Sequence, residues 1–413
     1  MKKKLIRCIL PLCILAQLSC ARQMNSDESV EARAVKIHDR VLTVDTHVDT
    51  PLRLMRSDFD PGERHDSSRR GGKVDFPRMK EGGLDAIFFA VFLGQGPRTP
   101  EGNAKAKEDA IKIFDAIYKT LEKNSAQAEL ALTPNDAYRI EKSSKRAVFI
   151  GIENGYPVGN DLSLIRSFYE RGARYITLCH TQNNDICDSS TDTTEHHGLS
   201  LFGEKVVAEM NRAGVMVDVS HISDEAFYDV LALSKAPILA SHSCARAICD
   251  NPRNLDDAML QNLAEHDGVI QMCVLSSYVK TPEPNPERDA AMKALREKYD
   301  NFNDLSEEDQ KKAREEWNAV REKYPEKLAN VSDVVDHIDH IVKVAGIDHV
   351  GIGTDFDGGG GVEGCNDVSE MGNITLELVK RGYTEKQVEK IWGGNVMRVM
   401  RKVEKVARDL RKS

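Results

Sequence analysis

Eight short, apolar and mostly β-branched runs are spaced along the chain, and nearly every one ends in a residue able to ligate a metal ion or move a proton. The runs occupy positions 41–44, 86–92, 147–152, 175–178, 215–219, 237–240, 269–275 and 350–353, with longer stretches of helical periodicity between them. Eight strands alternating with helices fit an α/β fold of the (β/α)8 TIM-barrel type, although doubly wound sheets alternate in the same way. The polar residues decide in favour of the barrel. The first run leads into Asp45-Thr46-His47-Val48-Asp49, the third into Glu153, the fourth into His180, the fifth into Ser220-His221, the sixth into Ser241-His242 and the eighth into Thr354-Asp355. In a parallel barrel all these ends open at one mouth, where such folds carry their active sites. A lone histidine is ordinarily a packed or surface residue. A His, Asp or Glu placed after run upon run is hard to obtain as a set of independent accidents.

His47 and Asp49 stand two apart, so an extended strand projects both to the same side, where they can chelate one ion. His221 and His242 come from adjacent strands and can offer neutral imidazoles to a second ion, a donor set that suits zinc. Glu153 enters between the groups and can bridge them, holding the ions about 3.5–4 Å apart, close enough to share a hydroxide and clamp a tetrahedral transition state. The plain alternative for Glu153 is a structural ion pair. Asn154-Gly155 behind it lets the loop turn sharply over the mouth.

These residues resemble the membrane dipeptidase, or renal dipeptidase, family of zinc peptidases within the metal-dependent amidohydrolase-like barrels. The resemblance is carried, in the family's order and over nearly the whole chain after the leader, by Asp45-Thr46-His47-Val48-Asp49, Gly151-Ile152-Glu153-Asn154-Gly155, Tyr175-Ile176-Thr177-Leu178-Cys179-His180, Asp218-Val219-Ser220-His221, Ser241-His242-Ser243 and Gly351-Ile352-Gly353-Thr354-Asp355-Phe356-Asp357-Gly358. The resemblance implies a dipeptidase with two zinc ions as cofactors, one held by His47, Asp49 and Glu153, the other by Glu153, His221 and His242. It implies that His180 contacts the developing oxyanion, and that Asp355 orients the bridging hydroxide, takes its proton and passes it to the leaving amine. Arg253 falls at the family's carboxylate-binding arginine and Tyr278 at a substrate-contacting tyrosine. An arginine fork suits the terminal carboxylate of a very short peptide, and the dipeptides that the resemblance implies extend to those with a C-terminal D-residue. The chain departs from the family at Asn154, where relatives often have glycine, and in lacking the mammalian cysteine pattern.

Composition bears on location and partners. The 413 residues are 40% hydrophobic and 30% charged, enough for one large core, and the net charge of −9 with no basic stripe argues against nucleic acid as a partner. Lys2, Lys3, Lys4 and Arg7 precede an apolar run at 8–18, too short to span a bilayer, and then Ser19-Cys20. This resembles a bacterial lipoprotein leader, although Gln17 stands where leucine is usual. The expected layout is a signal peptide at 1–19, a tether at 20–36 lipidated on Cys20, and a barrel domain at 37–413. The protein would thus be exported to a bacterial cell envelope and held to the membrane by its lipid; ordinary secretion is the alternative. Cys179, Cys187, Cys244, Cys249, Cys273 and Cys365 form no zinc-ribbon spacing and read as buried free thiols.

A highly charged stretch at about 280–328, with Ala313, Trp317, Val320 and Tyr324 at helical spacing, reads as a helical insertion before the last strand. It would overhang the mouth as a lid, serve a homodimer contact, or be a solvated excursion. The glycines at 358–361 lack the Lys-Ser/Thr of a phosphate loop and free the chain after Asp355. Two other functions are open to such a chain. A lactonase or phosphotriesterase of the same barrel commonly bridges its metals with a carboxylated lysine on the fourth strand, where this chain has His180. A non-catalytic binding lipoprotein would have no need of two metal clusters and Asp355.

Overall fold

The computed structural model describes residues 28–55, 59–67, 72–299 and 305–412; the expected signal segment and Cys20 lie outside them. Nine strands form one sheet: β1 (Val44–Val48), β2 (Ala86–Phe92), β3 (Ala128–Leu130), β4 (Arg146–Glu153), β5 (Ala173–Thr177), β6 (Met216–Asp218), β7 (Leu239–Ser243), β8 (Val269–Met272) and β9 (Val350–Ile352). Eight of them follow the order β1-β2-β4-β5-β6-β7-β8-β9 with every pairing parallel, so their C-terminal ends share one side. The barrel closes at the β9–β1 seam through residues just beyond the strand. Val48 bridges Phe356, Asp355 N donates to His47 O at 2.9 Å, and Asp49 N donates to Phe356 O at 2.8 Å. The buried Asp45 carboxylate braces the same seam, accepting from Thr354 N at 2.8 Å and Thr354 Oγ1 at 2.5 Å. Three residues of the expected site, His47, Asp49 and Asp355, are therefore part of the closure itself.

Two details differ from expectation. The first strand starts at Val44 rather than 41, which puts His47 within the strand instead of after it. The added β3 pairs with Arg146, Ala147 and Val148 at the start of β4, an edge that β5 covers only from Ile150 onward. It is a patch on an uncovered edge, not a barrel stave.

Alternation along the strands separates two cores. Ile87, Phe89, Val91, Val148, Ile150 and Ile152 face the helical layer, while Ala86, Phe88, Ala147, Phe149 and Tyr175 fill the barrel. In the inner set Phe88 stacks on Phe149 with centroids 4.6 Å apart. Val396, Met397, Met400 and Val403 of the helix Asn395–Leu410 join this inner set with Leu42 and Val269, sealing the end opposite the mouth. The outer helices form for ordinary reasons. In Pro100–Lys123, Thr99 Oγ1 caps Gly102 N, proline occupies the first turn, and Ala106, Ala110, Ile113, Phe114, Ile117 and Leu121 bury one stripe.

The tether expected up to 36 gives way at 30 to the helix Val30–His38, because Ala34, Ile37 and His38 share a face that packs on the helix Gly372–Lys380. Between β8 and β9 lie the helices Pro286–Lys298 and Glu307–Lys323, whose Leu295, Tyr299 and Ala313 make a small core of their own with Trp317 and Val320. The six cysteines at 179, 187, 244, 249, 273 and 365 are buried and free. Among the described residues no helix is long and apolar enough to cross a membrane.

Inside the barrel a Cβ on Gly151 would fall 2.0 Å from Cζ of Tyr175. Gly151→Ala should therefore cost about 1–3 kcal/mol by overpacking, read as a lower midpoint in denaturant unfolding. Wild-type stability would show that the ring has room to move.

Candidate metal centre and active site

Glu153, the last residue of β4, is the hub. Its Oε1 lies 3.0 Å from His221 Nε2, 3.4 Å from His242 Nε2 and 3.8 Å from His180 Nε2, and its Oε2 lies 3.4 Å from His47 Nε2. Asp49 Oδ2 is 3.7 Å from His47 Nε2, so the two-residue spacing does bring both to one place. The ligand-type atoms fall into three overlapping clusters: His47, Glu153 and His242; Glu153, His180 and His221; and His47, Asp49 and Asp355. The expected division into two sets of three is thus less sharp here: His242 stands with His47, and His180 stands as close to Glu153 as a ligand would.

Several of these side chains are aimed by left-handed backbone. His221 and Asp355 have φ of 72° and 61°, and Asn154 has 71°. Left-handed backbone is tolerated by Asn and Asp and strained for most other residues, and it concentrates at functional sites. Asparagine suits this position at Asn154. Its side chain secures the turn, donating from Nδ2 to Leu93 O at 2.9 Å and accepting at Oδ1 from Tyr156 N at 3.2 Å and Asn184 Nδ2 at 3.0 Å.

Hydrogen bonds behind the ligands fix their orientation and tautomer. Ser241 Oγ donates to Asp218 Oδ2 at 2.6 Å, so at 2.9 Å it accepts from His242 Nδ1, which places that ring's proton on Nδ1 and leaves Nε2 with a free lone pair. Thr177 Oγ1 also donates to Asp218. Tyr175 Oη holds His47 Nδ1 at 2.9 Å in the space that Gly151 leaves open. The sequence reading missed Tyr175, Asp218 and Ser241 as site residues. An acid inside the apolar strand Met216-Val217-Asp218 was the available signal, since a buried carboxylate demands partners.

The donor set fits cations. His47 Nε2, Asp49 Oδ1 and His221 Nδ1 are buried with no hydrogen-bond partner, and His221 Nε2 faces His242 Nε2 at 2.9 Å. Burial, assisted by Arg253, pushes His221 well below the usual imidazole range, and burial with His47 does the same to His242; both are held neutral, as ligation requires. Burial opposes ionisation of Glu153, but His47, His221 and His242 outweigh it and keep the carboxylate charged. Burial raises Asp49 to about 6, with Glu153 adding to the effect.

Above the cluster is a cavity of about 280 Å³ whose walls include Leu52, Phe92, His180, Leu275, Tyr278 and Asp355. None of the wall residues comes from the helices at 286–298 and 307–323. His180 packs edge-on against Phe92 at 4.7 Å, and Nδ1 lies 3.2 Å from Thr181 Oγ1. Arg253 is 3% exposed, donates from Nη2 to His242 O at 3.1 Å, pairs with no carboxylate among the described residues, and leaves Nε without an acceptor. Its guanidinium lies 5.3 Å from the Tyr278 ring centroid. A buried cation without an anion carries an uncompensated desolvation cost.

If Tyr175 orients His47, Tyr175→Phe should lower metal affinity or activity about 10–100-fold while leaving the far-ultraviolet spectrum unchanged. Competition titration with a chromogenic chelator reads the affinity; an unaltered affinity and activity would make Tyr175 mere packing.

The chain is similar to known dipeptidases over most of its length. The dipeptidase tcpJ of Claviceps purpurea is 34% identical over 357 residues, covering 85% of this chain and 74% of its own. The solved structure of the probable dipeptidase PvdM from Pseudomonas aeruginosa is 31% identical with a TM-score of 0.79, covering 92% of this chain and 99% of that one. A metallo peptidase from Rhodobacter sphaeroides, solved with a phosphinate mimic of the dipeptide L-Ala-D-Ala, shares the fold at 22% identity and a TM-score of 0.69, covering 88% and 99% of the two chains. Residues 31–413 match the profile of membrane dipeptidase, peptidase family M19. The chain belongs to that family and is a metal-dependent dipeptidase.

Proposed function

We propose that this dipeptidase hydrolyses free dipeptides, including those with a C-terminal D-residue, using two zinc ions held by His47, Asp49 and Glu153 and by Glu153, His221 and His242. The observation that carries the reading is the meeting of Glu153 with four imidazoles and Asp355 below one small cavity. At about 280 Å³ it is slightly under the common small-molecule range of about 300–1,000 Å³, a size that favours a dipeptide over longer chains. The bound ions would supply Lewis acidity to the scissile carbonyl and lower the pKa of the attacking water.

The protein's own groups do the rest. Burial pushes the Asp355 carboxyl well up, with Cys273 and Asp49 adding to it, so the group can take a proton from water and return it to the leaving amine. Burial lowers His180 and keeps it neutral; in the tautomer in which Nδ1 accepts from Thr181 Oγ1, Nε2–H would donate to the carbonyl oxygen as charge develops there. Arg253, behind Tyr278, would take the terminal carboxylate in charge-assisted hydrogen bonds. Holding that carboxylate rather than the side chain beside it leaves the configuration at the last residue weakly selected. The Rhodobacter neighbour's ligand makes L-Ala-D-Ala the natural first test.

The reading extends to location. The basic head, the apolar run at 8–18 and Cys20 support export and lipid anchoring in a bacterial envelope. Mass spectrometry of a membrane fraction should find the mature N-terminus at a diacylated Cys20; an unmodified N-terminus in the soluble fraction would overturn the anchor.

Asp355→Asn should keep its zinc by elemental analysis and lose about 10²–10⁴-fold in kcat across a dipeptide library that includes D-residue and N-blocked members. Full metal loading of the parent protein with no dipeptide cleaved would defeat the substrate reading and spare the metal site. Chelation should lower both activity and Tm, with zinc restoring them, because the ions bind only the folded cluster. An unchanged Tm would mean that the cluster holds no stabilising cation.

A further inference from the structure

We infer that His337 and Asn254 are positioning residues for the carboxylate-binding end of the site, tying the loop that carries Arg253 to the short helix that carries Tyr278. The inference rests on the proposed role of Arg253. The ladder between β7 and β8 ends at Ser243 and Met272, so it does not fix how the chain segments beyond those residues sit against each other. The Arg253 loop closes on itself through Leu255 N to Cys244 O at 2.9 Å and Arg246 N to Leu255 O at 2.8 Å. Tyr278 sits in the helix Ser276–Val279 after β8.

Two buried side chains join these pieces through the shortest bonds, beside longer contacts from Asn251 Nδ2 and Cys249 Sγ to Ser277 O at 3.4 Å and 3.6 Å. Asn254 donates from Nδ2 to Tyr278 O at 2.9 Å and to Cys249 O at 2.9 Å, while its Oδ1 accepts from Cys244 N at 3.2 Å. One amide therefore shapes the loop and docks it. His337, on the helix Val331–Ala345, accepts from Ala245 N at Nδ1 at 3.1 Å. That bond places the ring's proton on Nε2, which donates to Val279 O at 2.8 Å. Both residues are at most 1% exposed, so each bond lost leaves a backbone group buried without a partner. With both nitrogens of His337 engaged by backbone, the ring has no free position from which to touch substrate. What the two ties set is the placement of the Tyr278 ring over the Arg253 guanidinium.

His337→Phe, which keeps a ring but neither bond, and Asn254→Ser, which is too short to reach Tyr278 O, are to be assayed on a good dipeptide substrate beside Arg253→Met. Each positioning variant should raise KM about tenfold with kcat within about twofold and zinc content unchanged. Added to Arg253→Met, neither should raise KM further, because the group they position is gone. Should His337→Phe fail to fold, Asn254→Ser carries the same test. Wild-type KM in the positioning variants while Arg253→Met raises it overturns the inference and leaves the site reading standing. So does a parallel fall in kcat, or a full additional rise in the Arg253→Met background. Unchanged KM in Arg253→Met itself defeats the carboxylate role, and the inference with it.

Discussion

A single buried carboxylate, Glu153, lies within 3.0–3.8 Å of the Nε2 atoms of four histidines that arrive from four different places in the chain. So dense a set of lone pairs in a site nearly closed to water is tolerable only if positive charge sits among them, either protons or metal ions. Burial disfavours protons on His221 and His242, and several donor atoms have no hydrogen-bond partner. The parallel barrel is what makes this crowding possible. Six of the eight staves contribute one or two groups, and the ladder registers hold those groups at a common height.

Much of the remaining structure serves that crowding. Gly151 leaves space for Tyr175, which turns His47, and Asp218 orders Ser241, which sets the tautomer of His242. At the rim the backbone of His221, Asp355 and Asn154 enters the left-handed region, a conformation that surrounding hydrogen bonds must sustain. The seam is economical in another sense. Asp355 N pairs with His47 O where the barrel closes, so an error in closing the barrel would be an error in the site.

The strand pattern was legible because a stave buried on both faces must be apolar almost throughout, and eight such runs reappear as the eight staves of the path. The displaced first strand and β3 were not. In the first, Asp45, Thr46 and His47 break the apolar run yet pair as strand because their side chains find partners across the barrel, Thr354 for Asp45, Ser241 O for Thr46 and Tyr175 for His47. In the second, Ala128-Glu129-Leu130 has no distinguishing pattern and becomes a strand only because an edge of β4 stands open beside it. Among the site residues, His47, Asp49, Glu153, His180, His221, His242 and Asp355 were readable as chemistry at strand ends. Tyr175 and Ser241 were not, since a tyrosine or serine inside a strand looks like filling until its partner is known.

The order of residues along the chain is enough to show which residue types stand at the ends of which runs, and through them the barrel, the metal chemistry and the family. Those features are local: they depend on the identity of a residue and its offset from an apolar run. How the ligands overlap around Glu153, which ring nitrogens are free, and that Arg253 is buried behind Tyr278 with no carboxylate partner among the described residues emerge only in the folded barrel. Those are distances between side chains far apart in the chain, and they exist only after the staves have closed and the loops beyond them have been tied together.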